Sequence, residues 1–168
     1  MWIKNKKAFH SILVVLVIVG AFAVIVATKP APTPPVLSGG VSTLVAEAAT
    51  YDFGAVPLNG GFVRRVYAVQ NTGTEPIILN GMYTSCMCTT AVMRKGNETW
   101  GPYGMPGHGI GGGRMSVALA SGEAAEIEAI FDPAAHGPAG VGPVARSIYL
   151  ENSAGAPVEL SFTAIVTP

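Results

Sequence analysis

The clearest pattern in the chain is at its end, where Val158, Leu160, Phe162, Ala164 and Val166 alternate with Glu159, Ser161 and Thr163. Successive side chains of a strand point to opposite faces, so this alternation predicts a half-buried β-strand. Ala125, Ile127, Ala129 and Phe131 repeat the pattern against Glu126 and Glu128, and that run stops at Asp132-Pro133. Shorter runs rich in β-branched and aromatic residues cover 62–70, 76–83, 85–93 and 147–150, each bounded by turn residues. Within 76–83, Asn80-Gly81 is a turn or bulge signal. In 62–69 each face carries one arginine, Arg64 or Arg65, so periodicity leaves the buried face of that strand open.

The N-terminal region follows a different pattern. Ser11 to Ala27 is seventeen residues without a charge, and twelve of them are Leu, Ile, Val or Phe. With Ala8 and Phe9 the run approaches the roughly 20 residues that cross a bilayer. Lys4, Lys6 and Lys7 precede it and Lys29 alone follows, which by the positive-inside rule puts the N-terminus in the cytoplasm. Residues 1–28 therefore read as a basic tip and a single transmembrane helix. A cleaved signal segment is the alternative, since a charged start, an apolar core and Ala27 also fit that design. Either way the rest of the chain is exported, to the periplasm or the cell exterior, and residues 8–28 meet the membrane. Pro30, Pro32, Pro34 and Pro35 then favour extended polyproline II, and Ser38-Gly39-Gly40 restores flexibility, so 29–47 reads as a spacer. Val41 to Ala49 is apolar enough to begin a first strand.

Composition narrows the class. Charged residues are 12% of the chain while glycine (21) and proline (13) are abundant, which favours short strands joined by turns over long helices. From Lys29 onward there are seven basic and ten acidic residues, a balance that argues against nucleic acid, where a basic face must displace counterions. About seven strands in some 115 residues predict an all-β fold, an immunoglobulin-like antiparallel sandwich over 48–168. A Cys…Trp…Cys framework is absent, so a cross-sheet disulfide is excluded.

Several short motifs fall in a fixed order: Tyr51-Asp52-Phe53-Gly54-Ala55-Val56, Gly60-Gly61, Asn71-Thr72-Gly73, Ser85-Cys86-Met87-Cys88-Thr89-Thr90, Gly122-Glu123 and Phe131-Asp132-Pro133. As a set they resemble the landmarks of the bacterial domain of unknown function 1573 family, which is similar to the immunoglobulin-like domains of Hydin and related proteins. The resemblance covers about residues 48–166. It implies an exported or membrane-tethered sandwich and brings no established activity. The sequence departs from the family pattern in Met87, where glycine is common, and in a long insertion over 94–115.

The chemistry starts from the two cysteines. In an extended strand Cys86, Cys88 and Thr90 share one face, with Cα atoms of residues two apart about 6.6 Å from each other. That is near the limit for a disulfide, so the expectation is a poor redox pair. Two thiolates on one face instead suit a soft metal such as Cu(I) or Zn(II), given further ligands. Met105, His108 and Met115 in the insertion and His136 in a Gly/Pro loop are the candidates. The alternative is that both cysteines are small core hydrophobes, the methionines fill gaps and His108 is a solvated loop residue. Thiol exchange is a third reading and needs an exposed, activated cysteine.

Other motifs carry less. Gly107 to Gly112 satisfies G-x-G-x-x-G without a βαβ context, so no nucleotide partner is expected. No serine-hydrolase elbow is present, and Trp100 and Tyr103 read as residues that pack the insertion down. The expected role is a membrane-anchored extracytoplasmic module for binding or scaffolding among exported or cell-surface proteins, and not an enzyme. Copper binding or delivery is the second expectation.

Overall fold

The computed structural model describes residues 43–168. The expected anchor and most of the expected spacer lie outside the described residues, which belong to one compact unit. Among the described residues no helix is long and apolar enough to cross a membrane.

The unit is a sandwich of two five-stranded sheets. One contains β1 (Leu44–Ala46), β3 (Val63–Asn71), β8 (Ala124–Phe131), β5 (Thr89–Lys95) and β6 (Glu98–Tyr103), in that spatial order. The other runs β2 (Thr50–Pro57), β10 (Val158–Thr167), β9 (Gly142–Asn152), β4 (Ile77–Thr84) and β7 (Gly113–Leu119). The all-β fold is as expected, with ten strands in place of about seven. Of the additional strands, β6 lies within the insertion and β7 begins at its end. Gly96 and Asn97 close a two-residue hairpin between β5 and β6, with Lys95 opposite Glu98 and Gly96 at φ 56°. The chain then crosses to the other sheet and enters β7. Leu44–Ala46, within the stretch expected to begin a first strand, supplies β1. The strand pairs are antiparallel except β2 with β10, which is parallel. These two strands are far apart in sequence, so no tight hairpin dictates their direction.

Each inner face follows the alternation. Leu160, Phe162, Ala164 and Val166 of β10 and Ala125, Ile127, Ala129 and Phe131 of β8 are all buried, and the rings of Phe131 and Phe162 meet across the layers at 5.3 Å. Tyr67 of β3 spans both sheets, donating its hydroxyl to the Ser161 carbonyl oxygen of β10 at 2.7 Å. In β3, Tyr67 and Val69 are buried, so Arg65 shares the inward face. Its guanidinium lies 4.5 Å from the Tyr51 ring centroid, where the negative face of the ring takes the place of an anion. Trp100 and Tyr103 pack against the core, as expected for the insertion.

Two sequence landmarks explain the turns. Asn71 is fully buried; its amide donates to the carbonyls of Glu75, Leu119 and Ala120, and its carbonyl accepts from Gly73 N–H and the Thr43 hydroxyl. Asn80-Gly81 marks a shift of register where β4 pairs with both β7 and β9. That bulge bends the strand that leads into the cysteines.

On the outer face of the first sheet Glu128 of β8 is clamped by Arg94 of β5 at 2.7 Å and by Arg64 of β3 at 3.2 Å. The bond from Arg94 outweighs the opposing effect of burial and, with Arg64, holds the carboxyl below its usual range. A carboxyl depressed in the folded state contributes stability that is present above its unfolded value and lost as pH falls through the folded one. Glu128→Gln should therefore lower the urea midpoint at pH 7. The gap to wild type should close as pH drops below about 4, the ordinary glutamate range; a gap that persists unchanged at pH 2.5 would exclude the clamp as its source.

Candidate functional site

The cysteines sit where β4 gives way to β5, and β4 and β5 belong to different sheets. Residues 85–88 form a bend and turn, not the extended strand expected from the sequence. The physical reason is the crossing itself, since the chain leaves one layer for the other here. Ser85 still pairs with β9, donating its N–H to Ser147 O and accepting from Ser147 N–H on its side chain. Thr89 N–H then closes a turn on Cys86 O at 3.1 Å, and Asp132 N–H, at the end of β8, donates to Cys88 O at 2.9 Å. The Thr84 hydroxyl lies within 3.0 Å of Cys86 O and 2.9 Å of Thr89 O, which ties the two ends of the crossing together.

The turn overturns the geometric argument against a cysteine pair. Cys88 Sγ is 2.8 Å from Cys86 Sγ, with the Cys88 thiol donating. Cys88 is buried at 2% exposure, whereas Cys86 is only partly covered and its neighbour Met87 stands 53% exposed at the tip of the turn. Two nitrogen-bearing side chains approach the sulfurs. Arg146 of β9 donates its Nε–H to Cys88 Sγ at 3.1 Å, and His136 Nε2 lies 3.2 Å from Cys86 Sγ. Arg146 stands on β9 itself, and His136 comes from the β8–β9 connection: the Asp132 side chain accepts from Ala134 N–H to form its first turn, and a 3₁₀ turn over Gly137–Gly140 follows His136.

These contacts separate the two thiols. Burial pushes the Cys86 thiol up, but hydrogen bonds from the Cys88 thiol and the Cys88 N–H, with His136 and the charge of Arg146, outweigh it and bring it down to about 7. Cys88 moves the other way, because burial and its bond to Cys86 outweigh Arg146 and Thr89. Arg146 is itself held charged: bonds and charge from the two sulfurs overcome its partial burial.

Of the residues expected to ligate a metal, Cys86, Cys88 and His136 come together, with their ligand atoms all within 4.8 Å of one another. His108 does not join them; it is exposed in the tight loop where its carbonyl accepts from Gly111 N–H. Met115 lies on β7 against the core and Met105 stands at the start of that loop. The insertion does reach the cysteine crossing through its backbone, since Gly104 O accepts from Thr84 N–H at 3.1 Å. Gly112 and Gly113 permit this close approach: a Cβ at Gly112 would lie 2.7 Å from Tyr83 Cβ, and one at Gly113 would fall on the Tyr103 ring. Sequence reasoning missed Arg146. Its one visible signal is that no other lysine or arginine occurs after Arg114.

Residues 44–102 match the model of a family described as protein of unknown function, DUF1573, which bears out the resemblance over that stretch. No curated protein matches the chain. Among solved structures, a protein of unknown function from Porphyromonas gingivalis W83 is similar at 16% identity and a TM-score of 0.54, over 83% of this chain and 51% of that one. The likeness is one of fold, and this chain spans about half the length of that protein. The seventh PapD-like domain of human CEP192 aligns at 16% identity and a TM-score of 0.42, over 83% of this chain and 92% of its own.

With Cys86 lowered to about 7 and partly open to solvent, alkylation of the native, reduced domain by iodoacetamide should begin at Cys86 and reach half its limiting rate near pH 7. Peptide mapping would locate the label. Equal labelling of Cys88, or no reaction until pH 9, would show that the Cys86 thiol is not activated by its neighbours.

Proposed function

We propose that this chain is a single-pass membrane protein, N-terminus in the cytoplasm, that holds an immunoglobulin-like binding module outside the membrane, and that the module binds Cu(I) through Cys86, Cys88 and His136. The anchor rests on the charge-free run and its lysines. The metal rests on one observation, the convergence of two sulfurs and one imidazole nitrogen at a partly open turn.

The donor set favours Cu(I) among soft cations. Thiolate and imidazole together suit copper and zinc, but structural zinc is almost always held by four protein ligands, and three are gathered here. Charge points the same way. Two thiolates and Cu(I) sum to −1, which the Arg146 guanidinium at Cys88 offsets; two thiolates and Zn(II) sum to zero and would leave that cation uncompensated. Two thiolates at about 2.3 Å on a three-coordinate ion stand about 4 Å apart, so the sulfurs must part by about 1.2 Å to admit a metal. Cys86, on the exposed side of the turn, is the one with room to move.

As a binding module the domain would serve either as a copper-holding surface or as a scaffold among exported proteins, and the sulfur site decides between them. The whole chain, purified in detergent under reducing conditions, should take one equivalent of Cu(I) in competition with a chromophoric chelator. His136→Ala should weaken binding at least about tenfold, or about 1.4 kcal/mol, and Cys86→Ser/Cys88→Ser should abolish it. Wild-type affinity no tighter than that of the double variant would remove copper and leave the scaffold reading.

A further inference from the structure

The metal reading uses the sulfurs as ligands and does not explain why the turn brings them closer together than a shared ion requires. The gap of 2.8 Å is about 0.8 Å longer than a disulfide bond and about 1.2 Å shorter than the spacing of two thiolates on a three-coordinate ion. The two sulfurs also differ in access, Cys86 at the surface beside exposed Met87 and Cys88 beneath it. Arg146, half-buried, gives its side chain to Cys88 Sγ and to the Ala145 carbonyl, and among the described residues it pairs with no carboxylate. A cysteine that merely fills core volume needs neither an arginine nor a histidine against its partner pair.

We propose that Cys86 and Cys88 form a dithiol–disulfide couple that exchanges with disulfides of exported molecules, Cys86 as the attacking sulfur and Cys88 as the resolving one. The assignment follows from access: a substrate disulfide reaches Cys86 at the turn, and only Cys88, 2.8 Å below, can then reach Cys86. In the first step the Cys86 sulfur attacks one sulfur of the substrate, forming a mixed disulfide, and the other substrate sulfur leaves as a thiol carrying the proton released from Cys86. In the second, the Cys88 sulfur attacks Cys86 Sγ, the bond between Cys86 and the substrate breaks, and the second substrate sulfur leaves with the Cys88 proton. The dithiol is oxidised by two electrons and the substrate disulfide is reduced to two thiols; the reverse steps oxidise a substrate dithiol. The inference goes beyond copper binding but uses the same sulfurs, so the disulfide and metal-bound states exclude each other.

The test uses the whole chain in detergent, reduced, stripped of metal by a chelator and then exposed to oxidised glutathione, with acid quench, alkylation and mass spectrometry of the cysteine peptides. Wild type should pass to the Cys86–Cys88 disulfide, seen as loss of both alkylation sites without retained glutathione. Cys88→Ser should trap glutathione on Cys86, and Cys86→Ser should remain unreacted. Wild type that keeps both thiols, or that ends as a stable glutathione adduct, overturns the couple, and this reading stands even if a serine variant fails to fold. Because metal is absent throughout, failure here and failure of the copper titration are separate results.

Discussion

The site depends on one length of chain. Between Thr84, the last residue of β4, and Thr89, the first of β5, four residues must carry the backbone from one sheet to the other. Stacked sheets lie roughly 10 Å apart, and a link of this length reaches about 17 Å when extended. The excess is small and is taken up by the single turn that Thr89 N–H closes on Cys86 O. Strand alternation cannot hold inside such a crossing. The two sulfurs are therefore placed by the turn and by its anchors on Ser147 and Asp132, which also fix where β9 and the β8–β9 connection pass. Those same two elements deliver Arg146 and His136. The cluster is thus a consequence of how the layers are joined at one corner.

This explains what could and could not be read from the sequence. β8 and β10 were legible because each has one wet face and one dry face, and hydrophobic alternation reports that difference directly. The bulge at Asn80-Gly81 and the turn at Asn71-Thr72-Gly73 were legible because their chemistry is local. β3 was not, because Arg65 lies on the buried face, with its charge over the Tyr51 ring and its neighbours in the sequence giving no hint of Tyr51. β6 and β7 are hidden in the sequence because glycines mask their alternation; Gly112 and Gly113 are there for close backbone approach to Tyr83 and the Tyr103 ring, which only the folded sheets define. Cys86, Cys88 and His136 are legible as candidates from residue type alone, but their geometry depends on the crossing, which interrupts the strand that alternation predicts. Arg146 contacts Cys88 across 58 positions of sequence, a separation that no local pattern carries.

Electrostatics at the corner follows from burial and one cation. Cys88 is enclosed, so its charged form is disfavoured, and its proton serves the neighbouring sulfur as a hydrogen bond. Arg146 donates to the enclosed sulfur at 3.1 Å, and its charge also reaches Cys86. The pair as a whole is suited to carry about one negative charge, shared between the sulfurs and balanced by one guanidinium. Sequence-distant partners thereby make two chemically identical side chains unequal, one accessible and easily ionised, the other enclosed and protonated.

That shared charge also orders the states proposed for the pair. A dithiol with one ionised sulfur, or two thiolates around a monovalent cation, each present a net charge of −1 to Arg146; a disulfide presents none. Forming the disulfide would leave a half-buried guanidinium without its anion, and burying an uncompensated charge is costly. Stabilising the reduced form of a couple in this way makes its disulfide the more oxidising. The same arginine that favours Cu(I) over a divalent ion would therefore make the oxidised pair ready to pass its disulfide on. A purely structural bridge would gain nothing from a cation so placed, and the position of Arg146 at the enclosed sulfur argues that this corner of the sandwich is built around reduced, anionic sulfur.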